Sequence, residues 1–220
     1  MKSKKKSLLN SRLYLILDKD TCPRGNVDEI FGELRSGAID IVQLRENTAC
    51  DREFLRDAGI IRRLSSKRGI IYIVNNRLDI ALLADADGLH LGQSDLPLGA
   101  ARKLLGKNKI LGVSCHNLAQ ALKAQTEGAD YISIGPVFGT KTKPDLKPLN
   151  LSLLRTVNQK IRIPCFAIGG IDRSNIKTAM SYGAKRFAVC RAICRAKKVK
   201  KAISELRSKI NNDPNRISQK

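Results

Sequence analysis

The sequence contains no tryptophan and few other aromatic residues, four Tyr and five Phe, so its hydrophobic core must be largely aliphatic. Acidic residues are also scarce, because 20 Asp and Glu stand against 41 Lys and Arg, for a net charge of +21. Such a charge attracts anions of every kind. Proteins that bind single-stranded RNA usually have aromatic residues among their basic residues, for base stacking, and that pattern is absent here. We therefore expect no nucleic-acid partner, and a general basic bias of the proteome is the alternative explanation of the charge.

Cysteine pairs with metal-site or redox spacing are absent as well. The six cysteines, at positions 22, 50, 115, 165, 190 and 194, include no C-x-x-C pair. A chain of 220 residues does not need disulfides to fold, so we expect reduced thiols in a cytoplasmic protein. No apolar run reaches the roughly 18 residues of a membrane span. Arg12 and Asp18 interrupt the apolar segment after the basic N-terminus, which argues against a signal peptide.

Short apolar, β-rich runs recur eight times and alternate with amphipathic helical stretches, several of which end in Gly-Ala. The runs lie at 13–18, 38–45, 70–76, 88–92, 109–116, 131–138, 163–170 and 186–193. Apolar strands alternating with helices indicate parallel pairing with both sheet faces covered. Eight of them predict an α/β fold, a single-domain (β/α)₈ TIM barrel, with a doubly wound open sheet as the alternative. We expect the barrel at 13–209, flanked by a flexible basic extension at 1–12 and a polar tail at 210–220.

Polar side chains follow seven of the eight predicted strands, at the C-terminal ends where such barrels place their active sites. Side chains alternate along a strand, so Gln43 and Arg45 point the same way, as do Ser114 and His116. Each could singly be a polar cap on a strand end, but seven together predict a functional face. The set is Gln43, Arg45, Glu46, Asn75, Asn76, Arg77, Gln93, Ser94, Asp95, Ser114, His116, Gly169, Gly170, Cys190 and Arg191, with the loop at 140–143.

Two segments at this face have the chemistry of a phosphate site. Gly169 and Gly170 in "AIGGID" allow close backbone approach to an anion, and the helix predicted from "RSNIKTAM" would begin beside them. The loop "GPVFGTKTKPDLKP" at 135–148 offers two threonine hydroxyls and mobile lysines, and its prolines reduce the ordering cost of binding. We expect the two segments to bind one phosphate and to reach a second. A plain glycine turn and an exposed basic loop are the alternatives.

These residues in this order resemble the thiamine phosphate synthase family. The resemblance covers about residues 13–200 and rests on "VQLRE", "VNNRLDIAL", "ADGLHLGQSDLP", "LGVSCHN", "GADYISIGPVFGTKTK", "AIGGI" and "GAKRFAVCRAI". It implies a (β/α)₈ barrel that joins (4-amino-2-methyl-5-pyrimidinyl)methyl diphosphate to a thiazole phosphate or its carboxylate. It also implies pyrophosphate release by a dissociative, Mg²⁺-assisted reaction. Such a reaction needs charge neutralisation and positioning more than it needs a base.

The resemblance assigns roles to individual residues. Catalysis would fall to Arg45, Ser114 and Lys143. The pyrimidine diphosphate would bind Gln43, Leu44, Arg45, Glu46, Asn47, Asn75, Ser114 and Lys143. The thiazole phosphate would bind Thr140, Lys141, Thr142, Gly170, Cys190 and Arg191. Magnesium would bind Asn76 and Asp95. We expect His116 to be structural or to orient a ligand.

Three positions depart from the family pattern: Asn76 replaces an aspartate, Asn47 a lysine, and Arg191 a small hydroxyl residue. The first two favour a rival, a thiazole tautomerase that isomerises the thiazole phosphate carboxylate without forming a C–N bond. A more remote rival is a non-catalytic barrel that binds RNA or another polyanion, which the charge and the basic segment "RAKKVKKAISELRSKI" would serve. We expect small phosphorylated substrates as the partners, and the resemblance adds a homo-oligomer as an option.

Overall fold

The computed structural model describes residues 2–22, 27–140 and 146–212. In these ranges eight parallel strands form a closed barrel in sequence order. Leu13, Tyr14 and Leu15 of the first strand pair with Phe187, Ala188 and Val189 of the last, so the sheet has no free edge. This closure confirms the predicted (β/α)₈ barrel and excludes the open sheet.

The strands lie close to the predicted runs, and helices separate them. The strands are β1 Leu13–Asp18, β2 Ile41–Arg45, β3 Ile71–Asn75, β4 Gly88–Leu91, β5 Ile110–Cys115, β6 Tyr131–Ile134, β7 Cys165–Ile168 and β8 Phe187–Val189. The helices are α1 Lys2–Asn10, α2 Val27–Gly32, α3 Asp51–Arg68, α4 Leu78–Leu83, α5 Leu98–Leu105, α6 Leu118–Thr126, α7 Ser152–Lys160, α8 Ile176–Ser181, α9 Arg191–Cys194 and α10 Val199–Asn211. No helix in the described ranges is long and apolar enough to cross a bilayer.

Three aspartates fix the strand register at the N-terminal end of the barrel. Asp40, Asp87 and Asp130 precede β2, β4 and β6, and each accepts a backbone N–H from the start of the preceding odd-numbered strand; those donors are Leu13, Tyr72 and Leu111. Burial alone would raise the pKa of Asp40, but hydrogen bonds from Arg207 and from two backbone amides hold it below its ordinary value. The three carboxylates thereby align the strands, and with them the opposite strand ends that carry the site.

Residues 2–10 lie within the segment expected to be flexible at 1–12, and the structure shows them as a helix. They form α1, which covers the N-terminal mouth of the barrel, with Leu8 only 2% exposed among the barrel's interior residues. Lys5 Nζ lies 2.6 Å from Asp130 Oδ1, and Lys4 Nζ donates to the Ile70 carbonyl at 3.1 Å. The basic charges that suggested a solvated segment are therefore partners of the groups at the strand starts.

A pair of neighbouring leucines tests how much α1 contributes to stability. We expect Leu8→Ala to lower the free energy of unfolding by about 3 kcal/mol, because it leaves a cavity in a closed core. Leu9→Ala is the matched control, since Leu9 is 56% exposed, and it should change stability by less than about 0.5 kcal/mol. Urea unfolding of both variants measures the difference. Equal losses would contradict the packing of α1.

Candidate active site

A cavity of about 460 Å³ opens among the C-terminal ends of the strands. Its volume falls in the range of small-molecule sites. It brings together eight of the residues to which the family resemblance assigns substrate contacts: Gln43, Arg45, Asn75, Ser114, Thr140, Gly170, Cys190 and Arg191. His116 and Gly169 also line it. Residues from β2, β3, β5, β7, β8 and the loop after β6 thus share one space.

Several other predicted site residues lie elsewhere. Leu44 is 1% exposed and packs in the aliphatic core, because alternation along β2 turns its side chain away from Gln43 and Arg45. Its side chain therefore cannot contact a ligand in the cavity. Glu46, Asn47, Asn76 and Asp95 do not line the cavity. The predicted Lys141, Thr142 and Lys143 lie outside the described residues.

Glu46 and Asn47 shape the loop between β2 and α3. Glu46 Oε1 accepts the backbone N–H groups of Thr48 and Ala49, both at 3.0 Å, and its side chain is 2% exposed. Asn47 Nδ2 lies 3.4 Å from Asp20 Oδ2 in the neighbouring loop. Both side chains have partners within the protein, and their contact with the pyrimidine diphosphate stays a prediction.

Asp18 is a cavity residue that reasoning from the sequence missed. It ends β1 directly opposite Arg45 in the strand register, and its carboxylate is paired with the Arg45 guanidinium. The Asp18 side chain is 2% exposed and that of Arg45 is 19% exposed, so the pair forms part of the cavity wall. The available signal was a lone carboxylate at the end of "LYLILD", the one strand whose polar end was left out of the predicted face.

A row of hydrogen bonds crosses the barrel interior beneath the cavity. Gln43 Nε2 donates to Tyr14 OH at 2.6 Å, and Tyr14 OH lies 2.9 Å from Tyr131 OH. His90 connects Tyr131 OH, 2.9 Å from Nδ1, to Ser114 Oγ, 2.9 Å from Nε2. Burial raises the pKa of both tyrosines, so both are neutral hydroxyls at any working pH. Tyr14, His90 and Tyr131 were not predicted from the sequence, because none of them lies at the C-terminal end of its strand.

The loops after β6 and β7 touch through backbone atoms. Phe138 N–H donates to the Gly169 carbonyl at 3.0 Å. Gly170 has a φ of 62°, and a Cβ there would lie 2.4 Å from the Gly139 carbonyl oxygen. A side chain at position 170 would therefore separate the two loops. This contact places Thr140 on the cavity wall beside the glycines.

The helix after the glycines does not offer the anion-binding end expected from "RSNIKTAM". It begins only at Ile176, and Asp172 Oδ1 already accepts the backbone N–H groups of Ser174, at 2.7 Å, and Asn175, at 3.3 Å. The two backbone amides just before the helix are therefore already bonded to a carboxylate. The adjoining wall of the cavity is formed instead by Cys190 and Arg191, where the four-residue α9 begins.

Asn76 and Asp95 are the oxygen donors predicted for magnesium. Asn76 adopts a φ of 60°, with its N–H donated to the His90 carbonyl at 2.9 Å. Asp95 Oδ2 accepts the Gly92 N–H at 2.6 Å, which leaves its other oxygen as a ligand. The described residues hold no cluster of three or more His, Cys, Asp or Glu side chains. One carboxylate and one amide fit a magnesium ion whose other ligands are water and substrate phosphates.

His116 lines the cavity in a single tautomer. Its Nδ1 lies 2.7 Å from the Gly135 carbonyl oxygen, which can only accept, so Nδ1 carries the proton. Nε2 is then the ring's remaining acceptor. The structural or orienting role expected for His116 stays a prediction.

Comparisons with known proteins place this geometry in a family. The sequence profile of a family described as thiamine monophosphate synthase matches residues 13–193. The thiamine-phosphate synthase of Shouchella clausii is 42% identical over 196 residues, which make up 89% of this chain and 94% of that protein. The chain belongs to the thiamine monophosphate synthase family.

Further similarities agree with this membership. The thiamine-phosphate synthase of Chloroflexus aurantiacus is 40% identical over 205 residues, 93% of this chain and 94% of that protein. A solved structure of thiamine phosphate pyrophosphorylase from Pyrococcus furiosus superposes with a TM-score of 0.84 at 33% identity, covering 96% of this chain and 98% of that one. As a member of the thiamine monophosphate synthase family, the chain is a transferase that releases pyrophosphate, and the resemblance stated from the sequence motifs is confirmed.

Proposed function

We propose that the protein condenses (4-amino-2-methyl-5-pyrimidinyl)methyl diphosphate with a thiazole phosphate to give thiamine phosphate and pyrophosphate. The thiazole substrate is 4-methyl-5-(2-phosphoethyl)thiazole or its carboxylate, and the carboxylate also releases CO2. One observation carries the proposal: Arg45 at the end of β2 and Gly170 after β7 line the same cavity, so two anionic substrates can meet there. Both substrates are small and phosphorylated, in keeping with the basic charge of the chain.

Departure of the diphosphate is the step that needs most help from the protein. As the bond to the pyrimidine methylene breaks, negative charge grows on the leaving group and positive charge on the carbon. Arg45 offers a planar guanidinium that can bind two phosphate oxygens, and Asp18 holds that guanidinium in place before substrate arrives. Preorganised charge of this kind stabilises the developing diphosphate without reorganisation during the reaction. Lys143, in the loop after β6, supplies a second cation to the same leaving group.

Capture of the pyrimidinylmethyl cation by the thiazole nitrogen depends on positioning. Gln43, Asn75 and Ser114 hold the pyrimidine from β2, β3 and β5. The thiazole phosphate binds at Gly170 with Thr140, Lys141 and Thr142, beside Cys190 and Arg191. Fixing both rings within one enclosed cavity converts an encounter in solution into an attack at short range. This division of roles requires no general base from the protein.

Magnesium, when bound, neutralises the diphosphate and thereby lowers the barrier to its departure. Asp95 and Asn76 are the residues that would hold it. Because Asn76 brings an uncharged oxygen where the family pattern has a carboxylate, affinity for the metal depends more heavily on the substrate. The hard oxygen donors at these two positions support magnesium over a softer metal.

The substitution Asn76→Asp tests the metal site. We expect it to lower the Mg²⁺ concentration that gives half-maximal activity by about tenfold, because a second carboxylate strengthens binding of a hard cation. A magnesium titration of the coupling rate measures this. The control is Asn108→Asp, which adds the same charge on an exposed residue before β5, at the other end of the barrel. Equal titration curves for the wild type and Asn76→Asp would remove Asn76 from the site.

A coupled assay tests the function itself. Purified protein receives both phosphorylated substrates, with and without Mg²⁺, and thiamine phosphate and pyrophosphate are quantified by chromatography. The expected result is equimolar formation of the two products. Isomerisation of the thiazole carboxylate without C–N bond formation would identify the tautomerase instead. Neither activity, together with nanomolar RNA binding that falls steeply with salt concentration, would support the non-catalytic alternative.

A further inference from the structure

The row of hydrogen bonds beneath the cavity has a direction, because Gln43 meets Tyr14 through its amide nitrogen, which can only donate. Gln43 Nε2 donates to Tyr14 OH, so the hydroxyl hydrogen of Tyr14 is left for Tyr131 OH. Tyr131 OH then donates to His90 Nδ1, which makes that nitrogen the acceptor of the ring. The imidazole proton therefore sits on Nε2 and is donated to Ser114 Oγ.

Ser114 Oγ receives a second hydrogen bond from the same interior. Ser133 Oγ donates to it at 3.4 Å, so both lone pairs of Ser114 are engaged from below. Its own hydrogen is left to be donated into the cavity that Ser114 lines. At the other end of the row, the Gln43 amide nitrogen donates to Tyr14 OH, and Gln43 Oε1 remains an acceptor. The cavity is thus offered an acceptor from Gln43 and a donor from Ser114.

Reversing this pattern requires every member to change together. For Ser114 to become an acceptor from the cavity, its hydrogen must turn to His90 Nε2, and the imidazole proton must move to Nδ1. The hydrogens of Tyr131 and Tyr14 must then reverse, and the Gln43 amide must rotate to accept from Tyr14. The tyrosine hydroxyls are fully enclosed, with Tyr14 1% and Tyr131 0% exposed, so a partial reversal would leave an unpaired buried donor. The two ends of the row are therefore coupled.

We propose that Tyr131 is a positioning residue that, through Tyr14 and His90, holds Gln43 as an acceptor and Ser114 as a donor and thereby selects a 4-aminopyrimidine over its 4-oxo analogue. The inference rests on the proposed function, because it concerns the pyrimidine substrate. A 4-aminopyrimidine presents an N–H donor beside a ring-nitrogen acceptor, which complements this pair. The 4-oxo form presents the reverse pattern, a carbonyl beside a ring N–H, and would require the whole row to invert.

Tyr131→Phe cuts the row between Tyr14 and His90 while keeping the ring that packs on Phe166. Freed from Tyr131, His90 can adopt either tautomer, and Ser114 can accept as well as donate. We expect the ratio of Ki for the 4-oxo diphosphate analogue to KM for the amino substrate to fall about tenfold. KM for the thiazole phosphate should not change. If Tyr131 had a purely structural role, the substitution would weaken binding of both pyrimidines by the same factor and leave the ratio of Ki to KM unchanged.

The matched control is Tyr72→Phe, which removes a buried hydroxyl that has no hydrogen-bond partner among the described residues. It should leave the ratio of Ki to KM at the wild-type value. The proposal would be overturned if Tyr131→Phe left the ratio of Ki to KM unchanged. It would also be overturned if the 4-oxo analogue still failed to inhibit that variant. Thermal unfolding of each variant identifies any loss of fold.

A second measurement is independent of turnover. The chain has two histidines, and His116→Gln leaves the imidazole nitrogen signals of His90 alone in a ¹⁵N-labelled sample. We expect the shifts of an Nε2–H tautomer for His90 in the wild-type row and a mixture of tautomers after Tyr131→Phe. An Nδ1–H tautomer in the presence of Tyr131 would refute the direction of the row. Absence of thiamine phosphate synthesis by the wild type would instead refute the proposed function and leave this measurement valid.

Discussion

Arg45→Ala is expected to lower kcat for thiamine phosphate formation by about a thousandfold. The substitution removes the guanidinium that meets the leaving diphosphate. It also leaves Asp18 as an unpaired carboxylate in the cavity wall, with its side chain 2% exposed, where it repels the same diphosphate. Two effects of the same sign thus act on one step. Steady-state kinetics with both substrates saturating separate this loss from weaker binding.

The two effects can be separated with Asp18. Asp18→Asn keeps the size of the side chain and removes its charge, so the double variant Asp18→Asn, Arg45→Ala should recover about tenfold of the lost rate. Arg45→Ala alone should also lower the free energy of unfolding by about 3 kcal/mol, because it breaks a largely buried ion pair. That loss should shrink in the double variant. Additive effects of the two substitutions would show that the Asp18–Arg45 pair has no role in catalysis.

The sequence located the strand-end residues for a definite physical reason. In a parallel barrel every strand runs the same way, so polar residues that follow apolar strands must gather at one end. Gln43, Arg45, Asn75 and Ser114 line the cavity because of this rule. Alternation along β2 also predicted that Gln43 and Arg45 share a side. Leu44 between them was included only because the family motif is continuous, and its side chain lies in the core.

Other features depend on contacts that no local pattern encodes. The role of α1 rests on Leu8 and on lysines that reach Ile70 and Asp130, 66 and 125 residues further along the chain. The row from Gln43 to Ser114 joins five strands, and its three inner members, Tyr14, Tyr131 and His90, look like ordinary core residues in the sequence. Asp172 is a third case, since only the structure shows that its carboxylate accepts the backbone N–H groups of Ser174 and Asn175 ahead of the helix. Each of these features depends on partners that only the folded structure brings together.

Net charge also proved less informative than its local arrangement. The chain carries +21 overall, yet the cavity wall contains two carboxylates, Asp18 and Asp172, beside Arg45, Arg191 and Arg195. Asp18 is paired with Arg45, and Asp172 accepts backbone N–H groups, so neither presents a free charge. Anion binding therefore depends on which cations remain able to reach a phosphate. This is why single substitutions in the cavity should matter more than changes in surface charge.

Gly170→Ala is expected to raise KM for the thiazole phosphate by about a hundredfold, with a much smaller effect on KM for the pyrimidine diphosphate. Two constraints act at this position. A Cβ would meet the Gly139 carbonyl oxygen at 2.4 Å and Phe138 Cβ at 2.9 Å, and the φ of 62° is one that alanine adopts only at a cost. Relief requires the loops after β6 and β7 to separate, which moves Thr140 away from the glycines.

Gly37→Ala separates backbone strain from this displacement. Gly37 has a φ of 76°, similar to that of Gly170, but a Cβ there would have nothing within 4 Å, and the residue lies at the opposite end of the barrel. Both substitutions should cost about 1 kcal/mol of stability from the backbone alone. Only Gly170→Ala should weaken thiazole phosphate binding, measured by titration calorimetry in the absence of the pyrimidine substrate. Wild-type affinity in Gly170→Ala would mean that the phosphate binds away from the loops after β6 and β7, and the division of the cavity into a diphosphate end and a phosphate end would fail with it.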